Sequence, residues 1–257
     1  MRIDLNSDLG ESYGPWRMGD DEAILRIVTS ANIACGGHAG DPATMTETLA
    51  MTRARGVVAG AHPGFADREG FGRRLIPLSI REVEQLVATQ VGALMGAAAL
   101  AGAEVRYVKP HGALGNWAAD DRAVADAIVR ATKALSPDLA VLAISGTELE
   151  LAAREAGLAV FSEIFADRGY LPNGRLVPRS REGAMIHDPV LAEVLDGAPR
   201  LRIQGNEEEA RVHHVDPAPA IHHVIAHPAA VVLPHGVFPA LGVPHAPGPE
   251  GLAGGRV

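Results

Sequence analysis

Short apolar runs alternate with longer helical patterns before residue 162, and this alternation restricts the fold more than any other feature of the sequence. The six strand-like runs are residues 2–5, 31–34, 57–61, 105–108, 139–143 and 159–161. Between them, the apolar residues recur at helical spacing. This pattern is typical of βαβ units and predicts a parallel sheet with helical connections.

Capping residues mark the ends of the predicted helices. Three helices should begin at recognisable caps: Asp41 before Pro42, Ser79 with Glu82, and Thr147 with Glu150. The first places a carboxylate before a proline at the first helical position, and the other two have the spacing of capping boxes. Glycines stand where these three helices should end: Gly56, Gly102 and Gly157.

Polar residues directly after the strand-like runs help to choose between a closed barrel and an open, doubly wound sheet. They follow five of the six runs: Asn6, Asp8 and Glu11; Cys35 and His38; His62; Lys109 and His111; and Glu163, Asp167 and Arg168. In a (β/α) barrel, all strands end around one mouth, where such folds keep their active sites. An open sheet would concentrate function at a single crevice. The five polar rims therefore favour the α/β class with a (β/α) barrel.

The composition narrows the classes of partner. The chain has 257 residues, a formal net charge of −8 and a pI near 5.7. This acidity argues against nucleic acid and against an anionic membrane surface, because both attract basic patches. The longest apolar run, residues 91–103, is shorter than the roughly 20 residues that a membrane helix needs, so we interpret it as a buried helix. We expect proteins and small molecules as partners.

The single cysteine and the first residues bear on the cellular compartment. Cys35 cannot form an internal disulfide, which suits a reducing compartment. The first ten residues, MRIDLNSDLG, lack the basic start and the apolar run of a signal peptide. We therefore expect a cytoplasmic protein. We also expect Cys35 to be a buried structural thiol rather than a nucleophile, because cysteine is among the most buried residue types.

The predicted barrel mouth collects side chains that suit acid–base chemistry or a divalent ion. His38 lies in ACGGHAG and His62 in GAHPGF, each beside glycines that let a ligand approach the backbone. With Asp8 or Glu11, they offer nitrogen and oxygen ligands, or a base and an acid. Each histidine alone is better explained as a turn residue, but the whole set, which includes His111, favours a site. A metal bound by Asp8, His38 and His62 is one hypothesis, although no compact motif such as HExxH supports it.

Cations in the same loops suit an anionic substrate. Lys109 suits the stabilisation of an anionic transition state, although a surface lysine explains it equally well. Arg73 and Arg168 lie in glycine-containing loops and offer forked donors for carboxylate or phosphate. The sequence contains neither G-x-x-x-x-G-K-[ST] nor G-x-G-x-x-G, the familiar nucleotide-binding motifs.

Six blocks of sequence resemble the LamB/YcsF family and occur in order between residue 1 and about residue 188. The blocks are IDLNSDLGE, SANIACGGHAGD, GAHPGFADREGFGRR, VKPHGAL, FADRGY and LVPRSREGAMI. Six ordered blocks are a far more specific signal than any one of them. The resemblance implies a seven-stranded (β/α) barrel similar to glycoside hydrolase/deacetylase-type barrels.

The resemblance also implies an activity. Members of this family serve as the A subunit of ATP-dependent 5-oxoprolinase, a hydrolase of a cyclic amide that works as a complex with subunits B and C. Such complexes convert 5-oxo-L-proline (pyroglutamate) to L-glutamate while ATP, taken up with Mg²⁺, is hydrolysed to ADP and phosphate. On this implication, the candidate residues are catalytic Asp8, Glu11, His38, His62, Lys109 and His111, and substrate-binding Arg73 and Arg168.

The last part of the chain departs from the family pattern. From residue 187 onward it contains 8 of the 11 histidines and 10 of the 18 prolines, and capped helical patterns disappear. Family members continue with a strand that ends in His-Gly-Asp, whereas VVLPHGVF has Val237 in the acidic position. We therefore divide the chain into a barrel domain, residues 1–188, and an atypical Pro/His-rich segment, residues 189–257. This segment is either divergent and irregular or the product of a shifted reading frame. Its paired histidines lie among prolines, so we predict no metal site there.

Two other functions stay open from the sequence. One is a metal-dependent amide or acetyl hydrolase that acts alone, which would bind a divalent ion and need no ATP. The other is a non-catalytic scaffold subunit that completes a partner's site. A scaffold would tolerate substitutions at the barrel mouth, whereas an enzyme would not.

Overall fold

The computed structural model describes residues 3–165, 167–171, 174–179 and 181–186, together with the backbone of 223–226. The strands in chain order are β1 (Ile3–Leu9), β2 (Ser30–Ala34), β3 (Val58–His62), β4 (Val105–Val108), β5 (Ala140–Ile144), β6 (Val160–Ile164) and β7 (His223–Ala226). The helices are α1 (Asp21–Ile24), α2 (Pro42–Arg55), α3 (Ile80–Ala101), α4 (Gly112–Asp120), α5 (Arg122–Leu135) and α6 (Glu148–Glu155).

The first six strands form a parallel sheet in sequence order, with a helical connection after each of the first five. This confirms the prediction of a parallel α/β fold of the TIM-like barrel type. The short strand β7 pairs antiparallel with both β1 and β6 and closes the sheet. It is not a further parallel β/α unit. The count of seven strands and the likeness to deacetylase-type barrels therefore stay predictions.

The helix caps follow the sequence closely. Asp41 accepts the backbone N–H of Thr44, and the Ser79 and Glu82 capping box is complete. The third predicted box is only half formed, because the Glu150 carboxylate accepts the N–H of Gly146 instead of the N–H of Thr147. Helices α2 and α3 end at left-handed glycines, as predicted. Helix α6 ends at Glu155 with Ala156 as its C-cap, one residue before the predicted glycine.

The core has two parts, and β5 contributes to both because successive side chains of a strand point to opposite faces. Val141 and Ala143 join the large cluster between the sheet and the helices. Ala140 and Leu142 join a small cluster with Tyr107. A Cβ atom at Gly60 would lie 2.2 Å from the Tyr107 ring, so only glycine at this position of β3 leaves room for that ring.

Helix α3 is long and apolar enough, by length and composition alone, to cross a membrane. In the fold it is a barrel helix. Five of its residues form a buried face in the large core cluster: Val83, Val87, Val91, Leu94 and Ala98. Residues 91–101 of the apolar run thus lie in a helix that buries one face against the core, rather than in the wholly buried helix that the sequence suggested.

Two strands extend further than predicted, which moves three polar residues from loops into the sheet. β1 continues to Leu9 and β6 continues to Ile164. Asn6, Asp8 and Glu163 therefore lie within strands rather than after them, and Asn6 and Glu163 are buried. Polar and apolar residues alternate in β1, as they do in any strand with one polar face. In the sequence, the same polar residues resemble the start of a loop, which is why the sequence predicts too short a strand.

The predictions for residues 189–257 fall outside the described residues, apart from the backbone of His223–Ala226. That includes the proposed reading-frame change and the interpretation of the paired histidines. The domain boundary at residue 188 likewise stays a prediction. The strand β7 is the one element of this segment that enters the description.

Candidate active site

Two histidines meet at the mouth of the barrel because their strands are neighbours in the sheet. His62 is the last residue of β3, and His111 follows β4 as the N-cap residue of α4. The backbone N–H of His111 donates to the carbonyl of Pro63, which ties the two loops together. As a result, His111 Nδ1 lies 2.9 Å from His62 Nε2, with both side chains buried.

The loop after β3 holds the Phe71 and His38 rings against this pair. Phe71 has a left-handed backbone conformation with φ of 53°, unusual for a residue other than glycine, and its carbonyl lies 2.9 Å from His111 Nε2. A Cβ atom at Gly72 would lie 2.8 Å from His38 Cβ, so glycine lets the loop close over the rings. His38 then stacks on His111, with ring centroids 3.6 Å apart and an interplanar angle of 5°.

A buried ion pair lies beside the histidines. Lys109, directly after β4, places its Nζ 2.8 Å from Glu163 Oε1 and 3.4 Å from Asp8 Oδ1. Only 7% of the Lys109 side chain and 1% of the Glu163 side chain are exposed. Asn6 adds its Oδ1 atom 3.2 Å from the same ammonium. Oxygen atoms from β1 and β6 thus surround the lysine and fix its position.

Asp8 connects the ion pair to the histidines. Its Oδ1 atom accepts from the Asn32 amide at 2.9 Å, and its Oδ2 atom lies 3.3 Å from His62 Nε2. The Tyr107 hydroxyl donates to Asn32 Oδ1 at 2.6 Å and so orients that amide. The structure therefore forms a continuous polar network from the barrel interior to the mouth.

Glu11 lies across the mouth from these groups, with its Oε1 atom 3.4 Å from His38 Nε2. Burial, assisted by the negative charge of Asp8, raises the pKa of the Glu11 carboxyl to about 8. This carboxyl is therefore largely protonated at neutral pH and suits a proton donor. One potential ligand atom from each of Glu11, His38, His62 and His111 lies within 4.8 Å of the others.

Two of the imidazoles are held neutral. Burial, followed by the neighbouring His62, lowers the pKa of His111 to about 3. Burial and the stacked His111 lower the pKa of His38 well below its ordinary value. The buried His38 Nδ1 atom has no hydrogen-bond partner among the residues that the structure describes. A neutral imidazole can accept a proton or bind a metal ion.

The two predicted substrate-binding arginines have different surroundings. Arg73 is exposed, with its guanidinium carbon 5.3 Å from the centre of the Phe71 ring. Arg168 is buried and donates to the carbonyls of Ala184 and Val177, so it ties together the loop after β6. Burial and the nearby Arg179 lower the pKa of Arg168. Arg73 is thus open to a ligand, while contact between Arg168 and substrate stays a prediction.

The structure brings together six predicted residues at one place: Asp8, Glu11, His38, His62, Lys109 and His111. It also explains Cys35, whose thiol is buried and donates to the Ile33 carbonyl. Burial raises the pKa of this thiol to about 12, so the expectation of a structural rather than nucleophilic cysteine agrees with its environment.

In the sequence analysis, two members of the network are missed and two others are given no role. Asn32 and Tyr107 look like ordinary strand residues in the sequence, and Asn6 and Glu163 look like rim residues with no assigned role. The available signal is a polar residue in the middle of the apolar run SANIA, at Asn32. A side chain of this kind on a buried strand needs a hydrogen-bond partner inside the barrel.

Comparisons with known proteins agree with the sequence blocks. The profile of the LamB/YcsF family matches residues 3–195. The chain is 54% identical over 190 residues to the 5-oxoprolinase A subunit of Azorhizobium caulinodans, covering 74% of this chain and 75% of that protein. It is 52% identical over 204 residues to the 5-oxoprolinase A subunit of Bordetella pertussis, covering 77% of this chain and 81% of that protein. The crystal structure of a lactam utilization protein from Thermus thermophilus matches with a TM-score of 0.73 and 46% identity, covering 79% of this chain and 81% of that one.

Proposed function

The chain belongs to the LamB/YcsF family, and from that premise we propose that it is the A subunit of an ATP-dependent 5-oxoprolinase. In this proposal, the chain acts with subunits B and C to convert 5-oxo-L-proline to L-glutamate. One ATP, taken up as its Mg²⁺ complex, is hydrolysed to ADP and phosphate for each ring opened. Two relatives support the proposal, from Azorhizobium and Bordetella, and both are named as 5-oxoprolinase A subunits. Each is about half identical to this chain over an alignment that covers about three quarters of it.

The observation that carries the proposal is the convergence of an ammonium, three imidazoles and two carboxyl groups at one barrel mouth. A site that only joined subunits would have no need of a buried lysine held by oxygen atoms on three sides. Buried polar networks of this kind are costly unless every member is satisfied. Groups that accept, donate and balance charge within a few ångströms suit the hydrolysis of an amide.

A lactam is a poor electrophile, which explains the need for ATP. Transfer of the γ-phosphoryl group to the lactam oxygen releases ADP and makes the ring carbon more electrophilic. A first water then adds to that carbon, and the C–N bond breaks with a proton going to nitrogen, which leaves an acyl phosphate. A second water releases phosphate and the new carboxylate. Two waters are thus consumed for one glutamate, one ADP and one phosphate.

The mouth residues fit the demands of these steps. Lys109 lies where it can balance negative charge that develops on the lactam oxygen or on the transferred phosphoryl group. His62, His111 and Asp8 can accept the proton of an attacking water or, together, hold a divalent ion that would activate that water, and Glu11 can return a proton to the ring nitrogen. Arg73, the exposed guanidinium near the rings, suits the substrate carboxylate. We also propose that the complete fold is a seven-stranded barrel related to deacetylase-type barrels, with β7 as the closing strand.

A lysine substitution tests this function directly, because the chain has only two lysines. Lys109→Met removes the buried ammonium, and Lys133→Met removes the exposed one on α5, whose Nζ donates only to the Ala156 carbonyl among the described residues. Both variants would be mixed with cognate B and C subunits, and glutamate release from 5-oxoproline and ATP would be followed. Loss of a group that stabilises charge in the transition state lowers kcat by about 10²–10³.

We expect Lys109→Met to lose activity on that scale and Lys133→Met to keep the wild-type rate. Equal wild-type rates for both variants would refute a catalytic mouth and support a scaffold subunit. Glutamate release by the isolated chain without ATP would instead support a hydrolase that acts alone. A thermal unfolding curve for each variant separates loss of chemistry from loss of fold.

A further inference from the structure

Three electron-pair acceptors converge at the barrel mouth. His62 Nδ1 lies 2.7 Å from the Lys109 carbonyl oxygen, which can only accept, so Nδ1 carries the ring hydrogen. His62 Nε2 is therefore a lone pair in the neutral ring. This lone pair faces His111 Nδ1 at 2.9 Å and Asp8 Oδ2 at 3.3 Å.

His111 is fixed in the matching tautomer. Its Nε2 lies 2.9 Å from the Phe71 carbonyl oxygen, so Nε2 carries the hydrogen and Nδ1 is the lone pair. The two nitrogen lone pairs and a carboxylate oxygen thus meet without a hydrogen between them. Lone pairs at this separation in a buried place repel one another unless a cation lies among them.

We propose that His62 Nε2, His111 Nδ1 and Asp8 Oδ2 bind one divalent transition-metal ion of the Zn²⁺ class. In each ligand, the other polar atom already has a hydrogen-bond partner. His62 Nδ1 donates to the Lys109 carbonyl, His111 Nε2 donates to the Phe71 carbonyl, and Asp8 Oδ1 accepts from the Asn32 amide. Hydrogen bonds of this kind orient metal ligands in proteins and fix the tautomer of ligating histidines. Imidazole with carboxylate suits Zn²⁺ and its neighbours in the transition series better than Mg²⁺.

This ligand set differs from the one predicted from the sequence, because His111 takes the place of His38. The His38 and His111 rings are stacked 3.6 Å apart and nearly parallel. An imidazole nitrogen binds a metal ion in the plane of its ring, so one ion cannot lie in both planes. His38 instead supports the His111 ring from one side.

The proposed site would have an open side. Glu11 faces it, with a carboxylate oxygen within 4.8 Å of the ring nitrogens. Three protein ligands with a further position for water or a substrate oxygen are typical of catalytic zinc sites, whereas structural sites have four protein ligands. With Zn–N bonds of about 2.0–2.1 Å, the two nitrogens would move to about 3.3 Å apart, a small rotation of each ring.

The test measures metal binding by the full-length chain. Its result does not depend on whether the proposed reaction is correct. The protein would be stripped with a chelator and titrated with Zn²⁺ in competition with a chromophoric chelator, and Co²⁺ would be added separately to record its visible spectrum. The C-terminal segment contains most of the other histidines of the chain, so it supplies the matched control. The variants are His62→Gln with His111→Gln at the mouth and His213→Gln with His214→Gln in the C-terminal segment.

We expect one tight Zn²⁺ per chain and a Co²⁺ spectrum of four- or five-coordinate type. The mouth variant should bind more weakly by on the order of 100-fold or more, and the C-terminal variant should keep the tight site. Absence of a tight equivalent, or its loss in the C-terminal variant alone, would overturn the proposal. The ¹⁵N chemical shifts of the imidazoles give a second way to overturn it. If both ring nitrogens of His62 carry a hydrogen with and without Zn²⁺, a proton rather than a metal ion lies between the two rings.

Discussion

Lys109 and Glu163 form an ion pair inside the barrel, next to the histidines of the mouth. Their charged atoms are 2.8 Å apart, and both side chains are buried. Removal of one partner from a buried ion pair typically costs about 3–5 kcal/mol, and Asp8, 3.4 Å from Lys109 Nζ, would compensate the lysine only in part. The pair therefore supports both the fold and the placement of the ammonium.

We predict that Glu163→Gln lowers the free energy of unfolding by about 3 kcal/mol, measured by urea denaturation. The matched control is Glu104→Gln, which removes a carboxylate from the largely exposed pair with Arg106, also at 2.8 Å. Such a surface pair contributes less than about 1 kcal/mol. Equal effects of the two substitutions would contradict the account of Lys109 as a desolvated cation.

Individual site residues are predictable from the sequence where they follow strands, and less so where they lie within them. His38, His62, Lys109 and His111 stand at strand ends or in the loops directly after them, a signal that needs only the βαβ pattern. Asn32 gives no such signal, because its role depends on contacts across the barrel with Asp8 and Tyr107. Contacts between strands distant in sequence cannot be read from periodicity.

Helix α3 illustrates how local chemistry fixes an element. Its start is set by the Ser79 and Glu82 capping box and its end by Gly102, whose φ is 62°. Both limits are predictable because caps satisfy backbone groups within one turn of the chain. The lengths of β1 and β6 are not predictable in this way. A strand ends where its pairing with neighbouring strands ends, and this depends on the whole sheet.

Two glycines of this helix region should respond to alanine in opposite directions. Gly96 is inside α3, and an added Cβ would meet no atom within 4 Å. Gly96→Ala should raise the free energy of unfolding by about 0.5–1 kcal/mol, because alanine has the higher helix propensity. Gly102→Ala should lower it by about 1–2 kcal/mol, because alanine is strained at a positive φ.

Urea denaturation of both variants beside the wild type measures these changes. Both variants add one methyl group at the same helix; at Gly102 this Cβ would also lie 2.8 Å from Arg53 Nη1, the far end of a flexible side chain. A stabilising Gly102→Ala would mean that α3 continues past the position where its cap was placed. A destabilising Gly96→Ala would mean that this face of α3 is covered.

The whole molecule depends on a strand from the otherwise atypical C-terminal segment. β7 pairs with β1 and with β6, so its removal would leave two strand edges exposed. Exposed edges lower stability and promote aggregation. We predict that a chain ending after residue 188 melts at a lower temperature and elutes as larger species, whereas a chain ending after residue 227, which retains β7, behaves as the full chain does.

Thermal unfolding and size-exclusion chromatography of the two truncated chains check this prediction. Identical behaviour of the shorter chain and the full chain would mean that residues 1–188 fold as a complete domain, as the sequence suggests. Local patterns in the sequence predict the order of six parallel strands. They cannot predict a closing antiparallel strand from a segment whose composition resembles no regular element.

The most direct test of the central claim is the coupled release of glutamate and phosphate from 5-oxoproline and ATP. It would be measured for this chain alone and after mixing with cognate B and C subunits. We predict no release by the chain alone and equal amounts of glutamate and phosphate in the mixture. Absence of glutamate from the mixture, with all three proteins folded, would contradict it.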